Sequence, residues 1–384
     1  MRHDIIDPIQ STSMKILRKI GKVLLILLGS ILGLLLILLL IIRINSTGVE
    51  EPFKDENGKV LENSIAMHED IMINGVPQRI TIRGKDRNNP VLLKVHGGPG
   101  GAGPPILYRL IGVDLEDIFT VCYWEQRGGG SAYIHYGDAI PDETITLEQI
   151  VDDGLEVVQY LRQQFKKDKI YIEGISWGTT VSAFMVQKNP DLFEAYIGIG
   201  QMANQPLSEQ MSYDFVMEQA VQNSDSISIN KLKEIGRPPY PDKSAEEMAA
   251  ACDVERSIVN IYAPPKEVIF NPWMIKDILL DKGMTFKEKF DPFIKPINAN
   301  AYIILWPTCF HVNLMRDVPE WKIPVYIIQG ENDHYTETVL AREYFDSIVA
   351  PEKKWFLMEG NAHAANYEDP DRYRSIYINE ILRN

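Results

Sequence analysis

Cysteine is scarce in this chain: Cys122, Cys252 and Cys309 are the whole complement of 384 residues. Three scattered thiols cannot build a disulfide framework or a cysteine-ligated zinc site, so each is read as a small buried side chain. Histidine is sparse too, seven residues without an H-E-x-x-H among them, and neither a metal nor a cofactor is expected. Positive charge is in deficit. With 39 Lys and Arg against 53 Asp and Glu the formal net charge is −14, which argues against nucleic acid or anionic surfaces as main partners. Repeats and low-complexity tracts are missing as well. What remains is an ordinary globular composition, long enough for one large domain with an insertion or for two modest domains.

Against these absences stands one long uncharged run, "VLLILLGSILGLLLILLLII" at 23–42. Twenty helical residues rise roughly 30 Å, the thickness of a bilayer's hydrocarbon core. No small-residue cleavage site follows, which favours an anchor over a cleaved signal peptide. Lys15, Arg18, Lys19 and Lys22 precede the run, whereas Glu50, Glu51, Asp55 and Glu56 follow soon after Arg43. The positive-inside rule then predicts residues 1–22 as a basic cytoplasmic tail of a single-pass cell-membrane protein, with the large domain extracytoplasmic. Residues 43–62 are polar without helical periodicity and read as a tether.

Beyond the tether, strand and helix patterns alternate. Two alternating runs flank Asn74-Gly75, a hairpin signal. "NPVLLKVHGGPG" and "DIFTVCYWEQRGGGSA" are apolar runs that end in glycines, and "TITLEQIVDDGLEVVQYLRQQF" has helical spacing with a capping box from Thr146 to Gln149. "DKIYIEGISWG" and "EAYIGIG" read as further buried strands. From 202 to 319 the spacing is helical with proline breaks, and strand–helix alternation then resumes. The pattern predicts an α/β fold: a mostly parallel sheet with helices on both faces, formed by 63–201 and 320–384, with 202–319 inserted as a helical cap.

In such sheets ligands sit at the C-terminal strand ends, and the chemistry-bearing residues fall there. Gly174-Ile175-Ser176-Trp177-Gly178 is a G-x-S-x-G elbow, in which a sharp strand-to-helix turn exposes the serine hydroxyl. A serine needs a base to take its proton and an anion to orient that base. Asp333 follows a late strand and His363 lies in the last loop before the final helix, in the chain order Ser, Asp, His. His334 as base and Glu331 as acid are the rivals. An acyl-transfer oxyanion needs backbone N–H donors. Gly97 or Gly98 of "HGGPGGAG" supplies one and Trp177, the residue after the nucleophile, the other, while His96 organises the loop.

"HGGPGGAG", "YWEQRGGGSA" and "GISWGTT", in this order, resemble the prolyl iminopeptidases and related α/β-hydrolases over about 60–200 and 320–384. The resemblance implies an α/β-hydrolase fold, Ser176, Asp333 and His363 as a triad, and Gly98 with Trp177 as oxyanion hole. It also implies release of an N-terminal residue, typically proline, from a small peptide through an acyl-enzyme without a cofactor. Glu125 stands where the family's DQRG segment has aspartate, beside an Arg127 expected to tie loops together; Ala362 stands where a glycine usually precedes the histidine. The family's acidic cap residues receive the substrate's α-amine, and Glu218, Asp214 and Glu209 are the candidates here. An esterase of small apolar esters or amides is the alternative, and a non-catalytic protein on a hydrolase fold is the reading from another class.

Overall fold

Alternate residues of each central strand belong to opposite layers of core, because side chains in a strand have period two. Val91, Leu93 and Val95 face one layer and Leu92 the other; Cys122 and Trp124 oppose Val121 and Tyr123 in the same way. The computed structural model describes residues 8–266, 272–290 and 299–383. Its single sheet runs β1 (Ile65–Ile73), β2 (Val76–Gly84), β4 (Thr120–Trp124), β3 (Val91–Val95), β5 (Ile170–Ile175), β6 (Phe193–Ile199), β7 (Val325–Gly330), β8 (Lys353–Met358). The six strands from β3 to β8 are mutually parallel, and β1 and β2 add an antiparallel hairpin at one edge. Asn74 and Gly75 turn that hairpin with φ of 45° and 86°, as a two-residue loop with both φ positive requires.

Of the helices between strands, α2 is Pro105–Ile111, α3 Gly130–Tyr136, α4 Leu147–Phe165 and α5 Trp177–Lys188. α4 and α5 bury Val157, Val158, Val181 and Met185 against the first layer, while Tyr373 and Tyr377 near the C-terminus cover the second. The expected capping box of α4 is half made. Thr146 accepts from Gln149 N at 3.2 Å, but the Gln149 amide turns to the buried Asp153 at 2.9 Å. That carboxylate already collects Arg127, Asn74 and Gln78, and a buried anion recruits every donor in reach.

Between β6 and β7 the described residues form helices: α6 (Gln205–Gln222), α7 (Ser226–Ile235), α8 (Ala245–Tyr262), α9 (Pro272–Leu280), α10 (Phe286–Phe290), α11 (Ala299–Cys309) and α12 (Leu314–Asp317). This is where the cap was expected, though 267–271 and 291–298 of it lie outside the described residues, as do 1–7 of the basic tail. The remaining helices are α13 (Thr338–Ser347), α14 (Ala365–Glu368) and α15 (Pro370–Ile376).

At the N-terminus α1 runs Pro8–Ile44, and its stretch Leu17–Ile44 is long and apolar enough to cross a membrane, wider than the expected 23–42. Its leucines are largely exposed, so no protein core accounts for them.

The first part of the segment expected as a tether, residues 46–50, is packed onto the domain, while most of 51–60 is exposed. Glu50 is buried, with Arg83 Nη1 at 2.5 Å, Arg109 at 3.9 Å and His68 at 3.9 Å. Val49 N donates to Lys282 O at 3.0 Å, and Thr47 bridges to Thr285. The polar face of β2 explains the docking. Arg79 and Arg83 project from it; Arg79 pairs with Asp70 of β1 and Glu288 of α10, and Arg83 with Glu116 and with Glu50 of this strap.

Candidate active site

The serine turn is built by close backbone approach. Ser176 has φ 54° and ψ −123°, a conformation costly for a residue with a Cβ and held here by its surroundings. Its N–H donates to Ile199 O at 2.8 Å and its carbonyl accepts from Thr179 N at 2.8 Å. A side chain at Gly174 would strike Gly178 O, and one at Gly178 would strike Val95 O, so both glycines of the elbow are required by contact. Ser176 is half-buried at the N-terminus of α5.

Past β3 the chain enters the glycine loop. Gly97 packs on Ser176, and Gly98 takes φ 121°. His96 is buried: its Nδ1 donates to Gly97 O at 2.8 Å and its Nε2 accepts from Gln126 N at 3.1 Å, which fixes a neutral tautomer. Burial, which outweighs that carbonyl, pushes its pKa down to about 4. Gln126 also donates to His96 O at 2.8 Å and accepts from Trp177 Nε1 at 3.1 Å, clamping the glycine loop to the elbow. Trp177 opens α5, so its N–H has no acceptor within the helix. Glu125 folds back on Ser131 and Ala132, and Arg127 grips Asp153 with two bonds and reaches Thr144 and Asn74 O.

Asp333 and His363 meet across the ends of β7 and β8. His363 Nδ1 lies 2.9 and 3.0 Å from the two carboxylate oxygens. Asp333 also accepts from Tyr335 N, Thr336 N, Thr336 Oγ1 and Gln329 Nε2 at 2.8–3.0 Å. Burial opposes its ionisation, but the facing imidazole and the Thr336 donors outweigh it and hold the pKa below the ordinary carboxylate value. An anion on Nδ1 leaves Nε2 as the basic nitrogen. The rivals point elsewhere: His334 stacks on Phe215 at 3.7 Å, and Glu331 accepts from Gly360 N.

Ser176, His363, Gly97, Gly98 and Trp177 line one cavity of about 460 Å³. The helical insertion contributes Gln205, Asp253, Arg256, Tyr302, Trp306 and Cys309 to its wall. The three acidic cap candidates do not line it. Glu218 and Asp214 sit on the exposed face of α6, bonded to Gln222 and Arg237 respectively. Glu209 is buried behind the wall, paired with Arg256 and with Gln205 Nε2 at 2.6 Å. Arg256 holds a second carboxylate, Glu255, at 2.5 Å, and its guanidinium stacks over Tyr335 at 4.6 Å. Sequence reasoning passed over Asp253, Arg256, Gln126 and Gly200. Gly200 has φ 56° directly under the imidazole, and the "GIG" that ends β6 was the available signal for it. Among the described residues, no group of three or more His, Cys, Asp and Glu could hold a metal ion.

Comparison with known proteins agrees with this architecture. The alpha/beta hydrolase fold family matches residues 90–370. The chain is 29% identical to "Probable aminopeptidase YbaC" of Bacillus subtilis (strain 168) over 332 residues, 84% of this chain and 97% of that one. It is 26% identical to the proline iminopeptidase of Heyndrickxia coagulans over 319 residues, 79% and 96% of the two chains. Among solved structures, the proline iminopeptidase of Mycobacterium smegmatis shares the fold, with a TM-score of 0.55 at 15% identity over 80% of this chain and 95% of that one. A family match of this extent, on a sheet that runs parallel from β3 to β8, makes the chain a member of the α/β-hydrolase fold family, similar to its proline iminopeptidases.

Proposed function

We propose that this protein is a membrane-anchored serine aminopeptidase that releases an N-terminal residue, proline by the family likeness, from short peptides. The observation that carries the reading is His363, held by the buried Asp333 at 2.9 Å, on the wall of the same cavity as the strained Ser176 turn. Ser176 Oγ attacks the scissile carbonyl while His363 Nε2 takes its proton. The N–H groups of Trp177 and of Gly98 or Gly97 receive the oxyanion. His363 returns the proton to the leaving amine, and water, deprotonated in turn by His363, frees Ser176 from the acyl-enzyme. The cap side of the cavity favours a cationic substrate end: Asp253 on the wall, with Glu209 and Glu255 behind it, sets three carboxylates against the one guanidinium of Arg256. The basic residues before α1's apolar run and the acidic ones after it support a cytoplasmic N-terminus with an extracytoplasmic enzyme.

One observation favours an esterase instead. Glu209 and Glu255 are already bonded to Arg256, and Tyr302 OH lies 2.5 Å from Asp253, so the acids arrive at the cavity partly satisfied. The test is hydrolysis of a proline arylamide, its N-acetylated form and a short acyl ester by the full-length enzyme in detergent, with Ser176→Ala as control. Cleavage confined to the free-amine arylamide supports the aminopeptidase. Ester cleavage indifferent to a free amine replaces it with the esterase, and no Ser176-dependent turnover of any probe removes both.

A further inference from the structure

Two helix C-termini converge on one buried cation. The Lys289 ammonium donates to Asn45 O at 3.0 Å and Ser46 Oγ at 3.1 Å, just beyond α1. It also donates to Leu279 O at 2.9 Å and Asp281 O at 2.6 Å, where α9 ends. Helix C-termini carry unpaired carbonyls and partial negative charge, so a shared ammonium holds both ends together. The strap tightens the knot, with Thr47 Oγ1 and Val49 N both donating to Lys282 O. α9 is thereby fixed at the point where α1 leaves its apolar run. With nine residues it extends roughly 13 Å from that point.

The side chains on this knot suit the headgroup level of a bilayer. Met274 is buried, while Trp273 and Ile275 are 68% and 49% exposed. Lys276 lies beside the indole, with its ammonium 6.0 Å from the ring. Ile44 and Val49, each 65% exposed, extend the apolar surface along the end of α1 and the strap. Scattered apolar residues on a soluble surface need no explanation. These four differ because they sit on segments bonded together around the exit of a helix that is itself apolar all round. Tryptophan with a neighbouring lysine is the pairing that settles at headgroup level, where an apolar body and a polar tip are both satisfied.

We propose that α9 docks on the phospholipid interface around α1, seating Trp273 and Ile275 among the headgroups. This inference rests on the reading of α1 as a membrane-spanning anchor. The occupant is the bilayer surface itself, held by apolar insertion rather than by charge, so a zwitterionic phosphatidylcholine bilayer suffices. α2 packs against α9 and carries Tyr108 into the wall of the catalytic cavity, so docking sets that cavity beside the membrane rather than in bulk water.

The experiment uses full-length protein in phosphatidylcholine vesicles, with an environment-sensitive fluorophore on a single introduced cysteine; the three native cysteines are buried. Ile275→Cys reports on α9, Leu32→Cys on α1, and Ile227→Cys, 69% exposed on α7, serves as the aqueous control. Headgroup-proximal spin-labelled lipids are expected to quench Ile275→Cys and leave Ile227→Cys unchanged, while deeper labels quench Leu32→Cys. Quenching at Leu32→Cys with an iodide-accessible, lipid-insensitive Ile275→Cys would overturn the docking and leave the anchor standing. No lipid quenching at Leu32→Cys would overturn both.

Discussion

Gly200→Ala tests whether the imidazole is held where catalysis needs it. Gly200 has φ 56°, and a Cβ built there would stand 3.0 Å from His363 Cε1 and 3.1 Å from Nδ1. Unstrained carbon contacts lie at about 3.5–4.0 Å, so the ring must give way by about half an ångström. The Asp333–His363 bond, 2.9 Å from Nδ1 to Oδ2, is on the side that has to yield. Misplacement by about 1 Å costs on the order of a hundredfold in rate, so this displacement predicts roughly a tenfold fall in kcat, about 1.4 kcal/mol. The left-handed backbone separately costs a non-glycine residue about 1–2 kcal/mol of stability. Gly112→Ala is the matched control. Its φ is 87°, but its Cβ would find nothing nearer than Pro370 at 3.9 Å. Both variants should melt a few degrees lower, about 2–4 °C per kcal/mol, and only Gly200→Ala should lose turnover of whichever probe the wild type cleaves. A Gly200→Ala enzyme with wild-type kcat and the Gly112→Ala melting shift would refute the assignment of His363 as the working base.

Four further outcomes are expected. Ser176→Ala should abolish turnover with an unchanged circular dichroism spectrum, and Asp333→Asn should lower kcat by about 10⁴ through the wrong imidazole tautomer; activity within tenfold of wild type in either contradicts the triad. Glu50→Ala removes one partner of a buried ion pair, but Arg83 keeps Glu116 at 3.0 and 3.1 Å, so the loss should fall near the low end of the range for such pairs, about 3 kcal/mol, read as a lower melting temperature. Glu125 is the pH-dependent site: burial and nearby Glu288, only partly opposed by Arg79 and the Ala132 and Ser131 amides, push its pKa up from 4.5 to about 7. Between those values the folded state keeps a proton that the unfolded chain has lost, so stability should fall as pH rises, by up to about 1.4 kcal/mol per pH unit. Glu125→Gln should flatten that slope, and melting curves at pH 5 and pH 8 that keep the wild-type difference would count against it.

What could be read from the sequence was whatever leaves a local pattern. Strands β3 to β8 announce themselves as short apolar runs ending in turns, and the Ser176 elbow shows because backbone crowding demands Gly174 and Gly178 at fixed offsets. Asp333 and His363 were placed by chain order and by the strand ends they follow. The strap could not be read, because Glu50 and Glu51 look like ordinary solvated charge until Arg83, Arg109 and Lys282 are brought to them from far along the chain. The acidic cap residues failed for a related reason. α6 carries Glu209, Asp214 and Glu218, and composition does not say which of its faces meets the catalytic domain. Gln126 and Gly200 act through partners in other segments, and such roles leave no periodicity.

The docked strap changes how the enzyme should be handled. A soluble fragment cut near residue 48, the natural choice for a tether, would retain Glu50 but remove Asn45 and Ser46, two of the four acceptors of the buried Lys289 ammonium. Each buried donor left without a partner costs about 1–3 kcal/mol, and a charged group costs more. The damage would not stay at the end of α1. Lys289 and Glu288 are neighbours on α10, and Glu288 pairs with both Arg79 and His135, the latter on the helix whose first turn Glu125 holds. A chain of buried charges thus runs from the end of α1 to the segment whose Gln126 clamps the glycine loop to the elbow. Loss of activity in such a fragment would therefore report a loosened charge network before it reported anything about Ser176, and α1, the strap and the Ser176 turn have to be assayed as one molecule.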